Sequence, residues 1–575
     1  MTADERLGVS ASRGAAVTLV GQGARIALLL TGVVVLARLL SPRDYGLLAM
    51  VMAVIGVADL LRDFGLGSAA VQARTLSVAQ RSNLLWLSTG IGAALGLLVL
   101  VTSPLLAAFY DEPRLQPVAA ALSVTFVLNG VMTQYKADLQ RRLRFAWLTG
   151  LELAGQAVGI VTAVALAAGG AGYHALVAQQ VVQLAAQLVG LLLVCRWLPR
   201  RWSREAPVRP FVSFGAHLMG GQVLAYASNN VDSVVIGSTL GPGPLGVYNR
   251  AFQLLVLPLY QLNAPVTRVA LPVLSRLVDD PVRYRQFLLT GQTAMLNLVS
   301  AVLAFAAAQA PAVVLVALGP RWSQTAGLFQ VLAVAGFFTM AGYACYWVYL
   351  SRGLTREHLR LSLVTRPVQI VLVVAGAQWG LYGIAWAYAL ATALQWPANL
   401  WWLHRVTDAP VGQIWRNGAR TVLVYGWALV ASATATRWLP AGSTWTALAV
   451  GAVALGAALA LAALVVPAYR RDLQTVAALR RQLRGTPTAT TPAADRNPGH
   501  LPAPRTVSEV PVAAASPAAS PADRNPGHLP TTRTSTDVPV GGVGEISGGA
   551  LSAPAARPSA RATRPAPRPT DEEPR

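Results

Sequence analysis

The stretch VLARLLSPRDYG at residues 35–46 recurs, with changes, as VIGSTLGPGPLG at residues 235–246. The matched pairs, at a constant offset of 200, are Leu40 with Leu240, Pro42 with Pro242, and Gly46 with Gly246. Each stretch lies at the turn between the first two long apolar segments of its half of the chain. A second pair, GYHALVA at 172–178 and GLYGIAW at 380–386, follows at an offset of 208. Matches at corresponding places in both halves predict an internal duplication.

The overall composition is that of a membrane protein. Of the 575 residues, 54% are hydrophobic and 12% are charged, whereas about a quarter of the residues in a soluble globular protein are charged. A soluble enzyme with a polar surface is therefore excluded. The net charge of +22 lies mostly in short loops between apolar segments, so we expect no nucleic acid partner. Cys195 and Cys345 lie far apart in apolar stretches, and neither a disulfide, a metal site nor a cofactor is expected.

The last 91 residues (485–575) have a different composition. They contain 17 of the 37 prolines, no Phe, Trp or Tyr, and the nonapeptide ADRNPGHLP twice, at 494–502 and 522–530. A segment of this kind cannot bury a core. We expect a disordered, solvated tail, with a specific docking peptide as the alternative role.

Windows of about 20 apolar residues can cross a bilayer as helices. Fourteen such windows cover residues 15–38, 45–66, 83–108, 115–135, 146–169, 173–194, 212–238, 246–268, 286–309, 324–349, 358–376, 381–403, 417–436 and 443–466. If the N-terminus is cytoplasmic, the inner loops contain 25 Lys or Arg residues and the outer loops contain four. The excess of positive charge on one side predicts that both termini are cytoplasmic.

The predicted fold class is an all-α polytopic membrane protein with two six-helix lobes, two further transmembrane helices and a disordered tail. The lobes should be related by a pseudo-twofold axis along the membrane normal, because six helices each give them the same orientation. The predicted organisation is an N-terminal lobe (1–194), a basic cytoplasmic linker loop (195–211), a C-terminal lobe (212–403), helices 13 and 14 (404–468), a basic amphipathic helix on the inner leaflet (469–484) and the tail (485–575).

Several motifs of this chain are similar to those of one transporter superfamily. They are ARLLSPRDYGLLAMV (37–51), ADLQRRLRFAWLTGLELAG (137–155), NNVDSVVIGSTLGPGPLGVYNRAFQLLVLPLYQLNAPVTRVALPVLSRL (229–277) and LGPRWSQTAGLFQVLAV (318–334). The chain resembles the MOP superfamily and, within it, the Wzx-like polysaccharide flippases and exporters. The resemblance implies a location in a bacterial plasma (inner) membrane. It also implies a cleft between two lobes, alternating access and cationic residues that face a lipid diphosphate.

Ionisable groups inside the predicted spans are costly and are therefore candidates for function. Guanidinium groups stay charged and bind phosphate oxygens bidentately, so Arg25, Arg250 and Arg366 are the candidates for binding an anionic substrate. At 100° per residue, Arg250, Gln261 and Arg268 lie near one line of helix 8. A second polar stripe on helix 6 is formed by Gln179, Gln183 and Gln187. From these stripes Gln261 and Gln183 are candidate substrate ligands.

Acidic residues in the spans suggest ion coupling or gating. Asp59, Asp232 and the neighbouring Arg62 are the candidates for this role. Each also has a structural interpretation: Asp59 and Arg62 as an ion-paired helix end, Asp232 with Arg250 as a bridge, and the glutamine stripe as contacts between helices.

The hypothesis that follows is a flippase for polyprenyl-diphosphate-linked oligosaccharide, moving it from the cytoplasmic to the outer leaflet. The chain has no Walker motif, so transport would be driven by an ion gradient, the membrane potential or substrate supply. The expected partners are this lipid-linked substrate, the bilayer and, as the alternative role of the tail, polysaccharide-synthesis enzymes. Two alternatives stay open: an ion-coupled multidrug or small-molecule antiporter of the same superfamily, and a membrane polysaccharide polymerase or transferase.

Overall fold

The computed structural model describes residues 21–484, apart from 22, 64–65, 74, 205–207, 209–225, 227, 229, 439 and 441–442. All regular secondary structure in this part of the chain is helical. The first twenty residues, part of the predicted linker loop and the predicted tail lie outside the described residues.

The helices alternate with short turns. The first half of the chain forms α1 (23–39), α2 (Pro42–Asp63), α3 (Leu66–Gln72), α4 (Val78–Phe109), α5 (Leu115–Arg141), α6 (Phe145–Ala168) and α7 (Tyr173–Cys195). The second half forms α8 (230–240), α9 (Pro242–Arg276), α10 (Pro281–Ala308), α11 (Ala310–Ala317), α12 (Ser323–Ser351), α13 (Thr355–Gly376) and α14 (Gly380–Val406). They are followed by α15 (Val411–Ala435), α16 (Thr444–Val465) and α17 (Pro467–Arg484).

Eight helical stretches of the described chain are long and apolar enough to cross a membrane. One of them, Thr355–Val406, contains both α13 and α14, which are separated by a 3-10 turn at Ala377–Trp379. Among the described residues, each predicted window coincides with helix except for single residues at some window ends. The chain is therefore an all-α integral membrane protein, while the exact number of crossings and the symmetry of the lobes stay predictions.

Helices α2 and α9 cross where the two repeated stretches meet. A Cβ atom on Gly46 would overlap the carbonyl oxygen of Pro242, and a Cβ atom on Gly246 would overlap that of Pro42. The helices thus pack backbone to backbone, which only a residue without a side chain permits. We call these four residues the glycine seam. Reciprocal contact between matched residues is the pattern that a two-fold axis between the halves would produce.

Side chains from both halves close the region around the glycine seam. The ring of Tyr45 packs edge-on against the fully buried Trp322, with centroids 5.4 Å apart. Trp322 donates a hydrogen bond from Nε1 to the carbonyl of Ala37 over 2.8 Å, and Arg38 donates one to the carbonyl of Val316 over 2.8 Å. Helices α1 and α2 are therefore joined to the segment from α11 to the start of α12.

The last helix of the described chain, α17, is docked on the helices before it. Arg420 of α15 binds Asp472 of α17 bidentately, with N–O distances of 2.6 and 2.7 Å. Tyr469 is buried, and its hydroxyl donates to that of Tyr425 over 3.4 Å. Burial raises the pKa of the Asp472 carboxyl, although the Arg420 charge opposes this. The segment predicted as a basic amphipathic helix thus packs on α15 through specific polar contacts.

Candidate functional site

A polar cavity of about 740 Å³ lies among α9, α12, α13 and α14, with a contribution from α8. Its polar lining includes Asn263, Thr267, Tyr346, His358, Arg366 and Gln395. The volume falls within the range of roughly 300–1,000 Å³ that is usual for ligand pockets. Polar groups within a helical membrane protein are costly unless they have a function or a partner. We call this space the polar cavity and treat it as the candidate substrate site.

Two ionisable side chains of the polar cavity lie on helix α13. Arg366 and His358 both line the cavity and are two turns of α13 apart. The His358 ring lies near Tyr346 and Tyr349, with centroid distances of 5.7 and 5.2 Å. Its buried Nδ1 atom has no hydrogen-bond partner among the described residues. A guanidinium and an imidazole therefore reach the same cavity from one helix.

The amide and hydroxyl groups of the polar cavity are held by their neighbours. Trp347 donates from Nε1 to Oγ1 of Thr267 over 3.1 Å, and Thr267 donates to Oδ1 of Asn263 over 3.1 Å. On α14, Asn399 donates to the main-chain carbonyl of Gln395 over 2.8 Å. Such groups can bind sugar hydroxyls, while Arg366 can bind phosphate oxygens.

Arg250 lies at the glycine seam and not in the polar cavity. Its guanidinium carbon stands 3.6 Å from the centre of the Tyr45 ring, in a cation–π contact between α9 and α2. It also donates a hydrogen bond to Gln253, whereas its buried Nε has no partner among the described residues. The arginine is therefore engaged with the other half of the protein.

Asp232 is buried close to the same region, but it does not bridge to Arg250. Its carboxylate accepts hydrogen bonds from the Tyr248 hydroxyl over 2.7 Å and from the Ser233 amide over 2.8 Å. No ion pair between Asp232 and Arg250 is found within the described chain. Asp232 of α8 is instead hydrogen-bonded to Tyr248 of α9, while Arg250 of α9 contacts Tyr45 of α2.

Arg25 lies apart from the other two candidate arginines. It is exposed on α1, near the side of the helix on which Cβ atoms at Gly21 and Gly32 would meet Thr149 and Ile160 of α6. The structure therefore does not bring Arg25, Arg250 and Arg366 into one cavity.

The glutamine stripe of α7 faces α6. A Cβ atom on Gly159 would come within 2.8 Å of Cβ of Gln183, and one on Gly155 would lie 3.0 Å from Cγ of Gln187. Gln183 thus lies in a close helix contact, the interpretation that the sequence left open beside substrate binding. Gln261 belongs to α9, but its side chain lies outside the described residues.

Asp59 and Arg62 form an ion pair toward the end of α2. Arg62 donates from Nη1 to Oδ1 of Asp59 over 2.8 Å, and both side chains are half-buried. Tyr226 of the second half packs against α2 before this pair, and its hydroxyl donates over 2.9 Å to the carbonyl of Met52, about two turns before Asp59. The pair therefore lies close to the contact between the two halves. No cluster of metal-ligating side chains occurs in the described residues.

Sequence reasoning missed most of the polar cavity. Thr392, Gln395 and Asn399 lie at i, i+3 and i+7 of α14 and all line it, as do Asn263 and Thr267 at i and i+4 of α9. This helical spacing was the available signal. Only the packing of the helices shows that these faces converge.

The comparisons with known proteins agree with this architecture. Residues 35–327 match the family described as polysaccharide biosynthesis protein. The lipopolysaccharide biosynthesis protein WzxC of Escherichia coli (strain K12) is 26% identical over 374 residues, which cover 64% of this chain and 75% of WzxC. The teichuronic acid biosynthesis protein TuaB of Bacillus subtilis (strain 168) is 26% identical over 366 residues, which cover 61% of this chain and 73% of TuaB.

Solved structures share the fold at low sequence identity. The lipid II flippase MurJ in an inward closed conformation matches 81% of this chain and 100% of its own, with a TM-score of 0.60 and 12% identity. An inward-facing multidrug resistance MATE transporter of the MOP superfamily matches 68% of this chain and 95% of its own, with a TM-score of 0.53 and 14% identity. The chain has the fold of the MOP superfamily and belongs to the polysaccharide biosynthesis protein family.

Proposed function

We propose that this membrane protein is a flippase that moves polyprenyl-diphosphate-linked oligosaccharide from the cytoplasmic to the outer leaflet for cell-surface polysaccharide synthesis. The observation that carries the proposal is the polar cavity, in which Arg366 lies among amide, hydroxyl and aromatic side chains of four helices. A guanidinium suits the diphosphate, and the amide, hydroxyl and aromatic groups suit the sugars. The names of the relatives, which include the succinoglycan biosynthesis transport protein ExoT of Rhizobium meliloti (strain 1021), favour the same role.

Transport, and not catalysis, is the proposed activity. In the proposed orientation both termini are cytoplasmic and the glycine seam lies at the outer side of an inner membrane. A cavity inside one half and a closed seam between the halves fit alternating access, in which the seam opens to release the substrate. Arg250, released from Tyr45 on opening, and Asp232 would act at this gate. Asp59 with Arg62 would act near the opposite end of α2.

The C-terminal tail is proposed to tether enzymes of polysaccharide synthesis near the transporter. This part of the proposal depends on composition alone, since the segment 485–575 combines many prolines with a repeated nonapeptide. Deleting it should leave transport by the purified protein unchanged.

The test is translocation of a fluorescent undecaprenyl-diphosphate oligosaccharide in proteoliposomes. Arg366→Ala should lower transport about tenfold or more, because a charge-assisted hydrogen bond contributes roughly 1.5–3 kcal/mol. Arg360→Ala is the matched control, because Arg360 lies on the same helix but is exposed and pairs with Glu357. Arg25→Ala tests whether the exposed arginine of α1 also meets the substrate.

Three results would contradict the proposal. Transport that is equal in the wild type and Arg366→Ala would remove Arg366 from the site. Failure of the wild type to move the lipid, together with exchange of small cations, would favour the antiporter. Polymerisation of supplied lipid-linked sugars by the purified protein would favour the membrane enzyme.

A further inference from the structure

A second cavity, of about 620 Å³, lies between the two halves and is lined almost entirely by apolar side chains. On α2, its lining residues Val54, Val57, Ala58 and Leu61 have the i, i+3, i+4, i+7 spacing of one helix face. The other walls come from α4, α8 and α13. We call this space the apolar cavity.

The mouth of the apolar cavity is formed by exposed aliphatic side chains. Val54 is 41% exposed, Leu61 is 38% exposed and Leu98 of α4 is 55% exposed. The accessible surface at the mouth of the apolar cavity is therefore hydrocarbon, which suits an alkyl or isoprenoid chain and not a charged group.

The apolar cavity shares a wall with the polar cavity. Asn230 of α8 lines both spaces, and on α13 Ile370 lines the apolar one while Arg366 and Gln369 line the polar one. At this wall Gln369 donates from Nε2 to the carbonyl of Ser228 over 3.4 Å. Because a helix rises 1.5 Å per residue, Arg366 and Ile370 are only about 6 Å apart along α13. A cationic site and a hydrocarbon site thus lie one helical turn apart.

We infer that the two cavities form one amphiphile site, in which the apolar cavity takes the polyprenyl chain of the substrate while Arg366 takes its diphosphate. The inference rests on the proposed function and adds the position of the chain. The position of Arg366 selects this occupant over a phospholipid of the surrounding bilayer. When the anionic head group of a lipid binds Arg366, the hydrocarbon chain of that lipid begins at the shared wall. A bulk phospholipid, by contrast, has its head group at the membrane surface. The protein then holds the chain between its halves, where movement of the halves would change the shape of the cavity.

The experiment compares binding of inorganic diphosphate and farnesyl diphosphate to the full-length protein in nanodiscs, after subtraction of binding to empty nanodiscs. Inorganic diphosphate probes the polar cavity alone, and farnesyl diphosphate adds an isoprenoid chain. The wild type should bind farnesyl diphosphate at least tenfold more tightly. Ala58→Trp, which fills the apolar cavity, should abolish this difference and leave the affinity for inorganic diphosphate unchanged. Arg366→Ala should weaken binding of both ligands.

The matched control is Val101→Trp. Val101 is on α4, is 66% exposed and does not line the apolar cavity, so this tryptophan should keep the preference for farnesyl diphosphate. Binding of inorganic diphosphate by Ala58→Trp also shows that the variant is folded, and Ala58→Leu should have an intermediate effect. Equal affinity of the wild type for the two ligands, or a preference that Ala58→Trp retains, would overturn the inference while the proposed function stands. Binding of neither ligand by the wild type would count against the proposed function itself.

Discussion

The polar stripes of α7 and α14 have opposite environments, although each stripe lies on the last helix of its predicted six-helix lobe. In α7, Gln183 is pressed against α6, whose Gly155 and Gly159 allow close approach. In α14, Gln395 lines the polar cavity together with Arg366. A polar stripe on a membrane helix therefore predicts either a close contact with a neighbouring helix or a polar cavity, but it does not predict which of the two. The residues of the neighbouring helix determine the outcome, because glycines allow the two helices to pack closely and larger polar side chains keep them apart.

The two ends of the α13–α14 helix pair show the same contrast between close packing at glycines and open space at polar residues. A Cβ atom on Gly376 would lie 2.6 Å from the carbonyl oxygen of Gly383, so the helices touch there. Farther along, Arg366 and Gln395 line a cavity that is also bounded by α9 and α12. Close packing at the glycines and open space beside the polar residues therefore alternate along two helices.

The strictest glycine contact should give the largest effect. Gly46→Ala places a Cβ atom on the carbonyl oxygen of Pro242, so α2 and α9 must separate and the protein should lose about 3 kcal/mol of stability. The measurement is thermal unfolding in detergent. Gly243→Ala is the control, since a Cβ atom there meets nothing within 4 Å. Equal melting temperatures for the two variants would show that the glycine seam is not a close contact in solution.

The contact between α6 and α7 should give the next largest effect. Gly159→Leu would push α7 away from α6 and should cost about 2 kcal/mol, again measured by thermal unfolding. Gly150→Leu lies on the same helix in open space and should have little effect. If Gly159→Leu is as stable as the wild type, the first half has a cavity at the glutamine stripe, and the contrast with α14 disappears.

Replacing one glutamine of each stripe tests the contrast through activity. Gln395→Leu should lower transport about fivefold, because a hydrogen bond to the substrate contributes roughly 1 kcal/mol. Gln183→Leu should leave transport within about twofold, because its side chain packs between helices. Transport of the fluorescent lipid in proteoliposomes measures both. A reversal of the two results would place the substrate in the first half.

The smallest effect is expected outside the membrane, where Arg352 after α12 pairs with Asp408 after α14. The hydrogen bond from Arg352 lowers the pKa of the exposed Asp408 carboxyl. The pair's stabilisation should be complete above the usual Asp pKa of about 3.9 and be lost as pH falls through the lower folded value. The ion pair should stabilise the folded protein by less than about 1 kcal/mol. Melting curves of the wild type and Asp408→Asn should therefore converge at low pH, and a constant gap would contradict this.

The site was only partly predictable from the sequence. Arg366 stood out because an ionisable residue in an apolar window is costly whatever surrounds it. Asn263 and Gln395 did not stand out, since uncharged polar residues are common in membrane helices and gain meaning only from the faces they meet. Arg250 was expected to bind the anion, but the aromatic ring of Tyr45, distant in sequence, lies over its guanidinium.

The sequence by itself determined the class of the protein, because apolar windows of bilayer length can only be satisfied as membrane helices. It also determined the approximate positions of the helices and the presence of a matched turn in each half. Only the tertiary structure decided that the matched turns contact each other, that one polar stripe is packed and the other open, and that a polar and an apolar cavity share a wall. These features depend on contacts between helices that are distant in sequence. The sequence of one helix does not specify which face of another helix will pack against it.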